Sequence, residues 1–153
     1  MVCFMGVHIP VYDKTVTVFN RVQSKRLGDM WYPTILHNCN VNLDRANAIA
    51  KYGEESKDVC VLNVKLPCEK PYLPPKEWQR TDNKSGSVTF SPGDETFDFF
   101  FVGDWETETP VSDEDYHDAG FYSFMNAHYD HVYAVNTVNG PFTVIPHLEV
   151  TGR

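Results

Sequence analysis

Apolar and polar residues alternate in short runs along this chain, and polar or proline-rich turns separate the runs. Residues 15–20 place β-branched and aromatic side chains in period two, with Val16 and Val18 on one face, which predicts a strand. Residues 23–29 are polar and read as a turn. Residues 34–42 alternate again, Ile35, His37, Cys39 and Val41 against Leu36, Asn38 and Asn40, with Pro33 suited to an edge or a strand entry. Residues 44–53 are ambiguous. Asp44 suits a helix cap and Gly53 a helix end, while Asn47 and the brevity of the segment argue against a helix. Residues 59–67 form a strand ended by Pro67.

Residues 68–87 carry Pro71, Pro74 and Pro75 and read as a long excursion, with one helical turn over 75–80 where proline sits in the first turn. Loops of this length inside a compact domain are usually functional or interfacial. Two short strands follow, 87–90 and 96–102, joined around Pro92, Gly93 and Asp94. The best helix candidate spans about 112–128: Ser112 is placed to cap it with Asp115 three residues on, and Tyr116, Gly120, Phe124 and His128 recur every fourth residue. The chain closes on a predicted hairpin over 132–151, with Asn139-Gly140 as the turn because both residues tolerate positive φ. Six or seven short strands and one helix predict a mainly β fold, a small antiparallel β-barrel or sandwich with one packed α-helix. The 153 residues read as a single domain with a flexible N-terminus over 1–13.

Composition supports the β reading: 14% of the residues are aromatic, and ten prolines and nine glycines punctuate the chain. No apolar run is long enough to cross a bilayer as a helix, and the first residues lack the basic and apolar regions of a signal peptide. Cys3, Cys39, Cys60 and Cys68 have no CxxC spacing and read as reduced, mostly buried thiols. The net charge of −8 is uneven. Residues 91–131 hold eleven Asp or Glu and no Lys or Arg, while the rest holds ten acidic and thirteen basic residues. That balance argues against general affinity for nucleic acid. It suits acidic-to-basic association between copies as well as a simple solvated acidic face.

The search for chemistry finds no catalytic constellation. His128-x-x-His131, with His117 and nearby Asp, straddles the end of the predicted helix, so the imidazoles need not converge and no metal site is assigned. Asp98 sits in an aromatic strand where burial would raise its pKa, but alternation puts it with Phe100 opposite Phe97, Phe99 and Phe101, and an edge acid facing solvent is the simpler expectation. There is no GxSxG, P-loop or GxGxxG motif. Trp31, Trp78 and Trp105 are equally suited to anchor an interface or to cover the core.

Four segments carry a resemblance: "KTVTVFNRVQSKRLGDMWYPTILHNCNVNLD", "VCVLNVKLP" with "KPYLPPKEW", "VTFSPGDETFDFFFVGDW", and "YDHVYAVNTVNGPFTVIPHLEVTGR". In order and spacing they resemble small structural proteins encoded near the head–tail joining genes of tailed bacteriophages and of prophages in Gram-positive bacteria. The acidic segment over 112–128 is longer and more aromatic than that pattern. The resemblance implies a non-enzymatic virion protein of the connector or neck, without cofactors, whose small barrel assembles as a homo-oligomeric ring. It implies a head-closure (stopper) or adaptor subunit, made in the host cytoplasm and assembled into the virion. Its implied partners are other copies, portal or adaptor proteins and tail-terminator proteins, with only non-specific passage of DNA and no membrane. The residues expected at interfaces are Trp78, Asp104, Trp105, Glu106, Glu108, Asp113, Glu114, Asp115, Phe142 and Arg153. The competing reading is an acidic inhibitor that covers a host nuclease or defence protein.

Overall fold

The computed structural model describes residues 11–24, 28–43, 60–93, 96–116 and 119–153. The ambiguous segment 44–53, most of the N-terminal 1–13 and His117 lie outside the described residues. Seven antiparallel strands are present among the described residues: β1 (Lys14–Val22), β2 (Met30–Asn42), β3 (Cys60–Lys65), β4 (Phe99–Val102), β5 (Val111–Ser112), β6 (Val132–Phe142) and β7 (His147–Gly152). The pairing order β1-β4-β6-β7-β3-β2, with β2 returning to β1, closes six strands into a barrel, and β5 adds to the start of β2. None of the helices among the described residues is long and apolar enough to cross a membrane.

Closure depends on two strands that change partners along their length. The first part of β2 pairs with β1 and its last three residues pair with β3. At the switch the register with β1 slips between Val16 and Lys14, and Asn38 takes φ 56°, a left-handed conformation that Asn tolerates. β6 behaves likewise: residues 132–134 pair with β4 and Val135 onward with β7, with a slip between Val135 and Thr137. These bulges bend each strand around a corner of the barrel. The last corner is sealed where Gly152 meets β6. A Cβ there would lie 2.7 Å from the Tyr133 Cβ and 2.8 Å from the Phe100 ring.

Period-two alternation divides the apolar residues into two cores. Val16, Val18, Leu36, Cys39, Leu62, Val64, Phe100, Leu148 and Val150 fill the barrel. Their neighbours Phe19, Trp31, Phe99 and Val132 point outward and are covered by Phe121 and Met125 of a helix, α2 (Phe121–His128). This outer layer is why β1 is buried on both faces over residues 16–20. Burial of each such side chain stabilises by roughly 1.5–3 kcal/mol. Cys39 and Cys60 belong to the inner core, and burial pushes both thiols up to about 12, consistent with inert packing residues.

Four expectations are corrected. The strand over 87–90 does not form: apart from a single bridge from Val88 to Tyr72, its backbone is held by side chains. Asn20 Nδ2 donates to the Thr89 carbonyl (2.6 Å), and the Ser91 N–H donates to Asp98 (2.8 Å). The Pro-rich excursion therefore folds back, placing Val88 and Phe90 in the barrel core, and it includes a short helix, α1 (Pro75–Arg80).

The helix expected over 112–128 is really two pieces. Ser112 accepts from the Glu114 N–H and starts only a 3-10 turn, Asp113–Asp115. Gly120, at φ +92°, interrupts the path before α2.

The hairpin is present, but Asn139-Gly140 is not its turn. β6 continues through both residues to Phe142, and residues 143–146 make the turn. The positive φ of Gly140, +104°, serves a bulge between Asn139 and Phe142, where a Cβ would lie 2.9 Å from the Phe142 nitrogen.

Asp98, finally, is buried, with 1% of its surface exposed. Alternation does place it beside Phe100, but that face is the barrel interior.

Among the described residues, one polar side chain in this interior lacks a partner. The Thr89 hydroxyl is buried and makes no hydrogen bond. Thr89→Val, which keeps the shape and removes the unpaired hydroxyl, is expected to stabilise by about 1 kcal/mol. A melting temperature below that of the parent would show that the hydroxyl has a partner.

Candidate interaction surface

Among the described residues, the extended polar network inside the barrel centres on Asp98. Its carboxylate accepts from the Arg21 N–H (2.8 Å), the Asn20 side chain (2.9 Å) and the Ser91 N–H (2.8 Å). Burial pushes its pKa up to about 7, against the lowering effect of these donors and of the Arg21 charge. These contacts tie β1 to the returning excursion, and the carboxylate's partners include no nucleophile and no second acid. Asp98 is thus placed to hold structure. Outside it lies an open cleft of about 430 Å³ lined by Arg21, Gln23, Lys76, Gln79, Ser91 and Thr96 among others. Gln79 in this cleft already donates to the Arg21 carbonyl (3.1 Å).

Among the described residues no group of His, Cys, Asp and Glu converges as a metal site. His128 Nδ1 contacts the Phe124 carbonyl of its own helix (2.8 Å), whereas His131 lies 3.4 Å from the Tyr133 hydroxyl. The two imidazoles are engaged separately.

The residues expected at interfaces fall into distinct places. Trp78 is fully buried under α1, where it packs edge-on against Tyr32 (5.9 Å between rings) and donates to the Ser87 carbonyl (3.4 Å). It offers no surface to a partner, because the excursion folds inward around it. Trp105 is half-buried on the outer aromatic layer, 5.6 Å from Phe19 and 5.5 Å from Phe121. Asp104, Glu106, Glu114 and Asp115 are exposed around that layer and make an acidic rim. Glu108 is also exposed and pairs with Lys70 (2.6 Å).

Asp113 has an internal task. Its Oδ1 accepts from the Trp31 indole (2.6 Å) and from the Phe121 N–H (3.0 Å), so it caps α2 from a distance and pins the helix to β2. Arg153 is exposed, and its backbone continues β7 through two bonds with Ala134 (2.9 and 3.0 Å). Phe142 is 43% exposed, with its ring stacked on His147 at 4.7 Å.

Phe142 leads to the feature that the sequence reading passed over. The turn after it carries Val144, 96% exposed, and Ile145, 72% exposed. The apolar pair between Pro141 and Pro146 was visible in "PFTVIPH", but a turn placed at Asn139-Gly140 assigned those residues to a strand. Isolated apolar side chains on a surface are ordinary, whereas three at the tip of a long hairpin form a projecting patch. Beside the acidic rim lies a smaller cleft of about 240 Å³, floored by Trp31, Phe97 and Tyr122, with Asp113 and Ser123 at its margin. Arg21 spans this cleft, its guanidinium 5.0 Å from the Trp31 ring and paired with Asp29 (2.6 Å).

These features define a small closed antiparallel barrel, plugged by its own excursion, helix-covered on one side and carrying an uncovered apolar hairpin tip. The chain belongs to a family of unknown function (DUF6751), whose model matches residues 11–153. No curated protein and no solved structure matches the chain.

Proposed function

We propose that this protein is a structural subunit of the head–tail connector of a tailed bacteriophage, a head-closure or adaptor component that works as a ring in the virion neck. The observation that carries the reading is the uncovered hairpin tip, with Val144 and Ile145 projecting from a closed barrel. A rigid body with one apolar projection and one acidic rim suits a part that is paired in an assembly. The four-segment resemblance supplies the assembly, with portal or adaptor and tail-terminator proteins as neighbours. A net-negative subunit is compatible with DNA that passes without being gripped.

Deleting the coding sequence from a phage that carries it tests the reading. Particles are expected to assemble heads that lose DNA or fail to join tails, and mass spectrometry of parental virions is expected to find the chain. Normal, infective deletion particles would overturn it. The exposed acids Asp104, Glu106, Glu114 and Asp115 favour a second reading, an acidic inhibitor of a host nuclease or defence protein. Recovery of such an enzyme from host lysate, with the chain absent from virions, would select that one.

A further inference from the structure

We infer that the outer edge of β6 pairs with the same edge of a second copy, so that two β6–β7 hairpins join antiparallel about a two-fold axis into one four-stranded sheet. From Val132 to Ala134 β6 is flanked by β4, and the Val135 N–H donates to the Asp98 carbonyl (2.9 Å). Beyond that point its strand partner among the described residues is β7 alone. Two anchors show which main-chain groups are left over. Ala134 and Arg153 exchange two backbone bonds (2.9 and 3.0 Å), and on the other side of the hairpin the Leu66 N–H donates to the Pro146 carbonyl (3.0 Å). Alternation from these anchors turns Thr151 and Glu149 toward β6, where they meet Thr137 and Asn139, and turns Val150 toward β3. The N–H and C=O of Val138 therefore point away from β7, to the open side of β6.

Main-chain donors and acceptors along an open edge are a template for a further strand. Charge selects the strand. A second copy paired about a two-fold axis lays this stretch against itself in reverse, so any charge on it would meet its own like. Residues 132–146 contain no Asp, Glu, Lys or Arg, although 22% of the chain is charged, and self-pairing meets no such repulsion. The lysines that usually guard an edge of this kind are missing as well. Pro141 has no N–H and closes the edge at its far end, which confines the pairing to residues 136–140. Access is open there, since Asn136, Thr137, Asn139 and Gly140 are exposed. Phe142, Val144 and Ile145 lie just past this window, and antiparallel pairing carries them toward the base of the partner's hairpin, where their uncovered surface finds protein. The contact is isologous and separate from the heterologous contacts that a ring requires, so it does not rest on the neck reading. So short an edge buries far less than the roughly 1,200–2,000 Å² of a stable interface, and the pairing is expected to be weak and concentration-dependent.

Amide hydrogen exchange of the parent chain, resolved by residue at low and high protein concentration alongside sedimentation equilibrium, tests the pairing. The Val138 amide is expected to exchange freely in the monomer and about tenfold more slowly where the dimer predominates. Thr137 and Asn139, already bonded to β7, are expected to be protected at both concentrations. A dimer in which Val138 exchanges as it does in the monomer would overturn the inference. So would a Val138 amide already protected in the monomer, or a parent chain that stays monomeric at millimolar concentration. Val138→Pro removes the outward donor without breaking a bond to β7, and it is expected to weaken dimerisation by about tenfold or more. Dimerisation of the folded variant at parental strength would count against the edge, and exchange in the parent decides the matter where the variant does not fold. Absence of the chain from virions would sink the neck assignment and leave the pairing standing.

Discussion

Asp98→Ala is expected to destabilise the protein by about 3–5 kcal/mol, measured by denaturant unfolding, because the substitution strands one buried and two part-buried donors together. The Arg21 N–H, the Asn20 amide and the Ser91 N–H all end on this one carboxylate, and alanine leaves room but no acceptor. A loss below about 1 kcal/mol would mean that the interior relaxes or admits water.

Asp98→Asn separates charge from shape. Because the folded-state pKa of Asp98 is raised from 3.8 to about 7, the folded protein binds the extra proton between those values. The stability due to Asp98 is therefore full below about pH 4, falls as pH rises, and is flat above about pH 7, with a steepest slope of about 1.4 kcal/mol per pH unit. Asparagine does not titrate, so the parent's advantage over Asp98→Asn should be larger at about pH 5 than at about pH 8. An equal difference at both would show that Asp98 is ionised throughout.

The position of this acid explains much of the architecture. The six-strand barrel is filled in part by the chain's own excursion. Val88 and Phe90 supply the apolar plug, while Asn20 and Asp98 supply hydrogen bonds that a neighbouring strand would otherwise provide.

Which parts were legible in the sequence follows from how local their causes are. Strands β1, β2, β3 and β7 show in the alternation because one face of each meets the barrel interior, and that periodicity is written residue by residue. Other elements were decided at a distance. Asp98 looked like an edge acid because its partners, Asn20 and Ser91, come from segments that alternation cannot bring together. Asn139-Gly140 carried the strongest local turn signal, yet pairing of Asn139 with Glu149 and of Phe142 with His147 carried the strands past it and turned the glycine into a bulge. Ser112 does cap a turn, but Gly120 restarts the path, and α2 begins where Asp113 can receive the Phe121 N–H. Of the expected interface residues, the acids of the rim and Phe142 are exposed as a surface role requires, whereas Trp78 went inward and Asp113 serves α2.

Trp78→Ala carries the second large effect, and it tests whether the excursion is a plug or an arm. The indole is wholly buried between α1 and β2, against Tyr32, with the Lys84 ammonium 5.3 Å from its ring. Truncating it to alanine is expected to cost about 3–5 kcal/mol from lost burial and the cavity left behind. The damage should spread along one path. α1 has six residues and no side-chain cap, so it holds its place through Trp78 more than through its own helical bonds. Once it loosens, the backbone bonds that join Leu73 to Val88 and Val88 to Pro71 are released with it. Hydrogen exchange in Trp78→Ala should therefore accelerate first across 71–91, while amides of β3 and β7 exchange only with global unfolding. An arm that merely lies on the barrel would behave otherwise: the variant would keep parental stability, and 71–91 would already exchange freely in the parent chain. Because Val88 and Phe90 fill the same core as Leu36 and Phe100, the barrel and its plug should instead melt as one unit in the parent, and only loss of the indole should uncouple them.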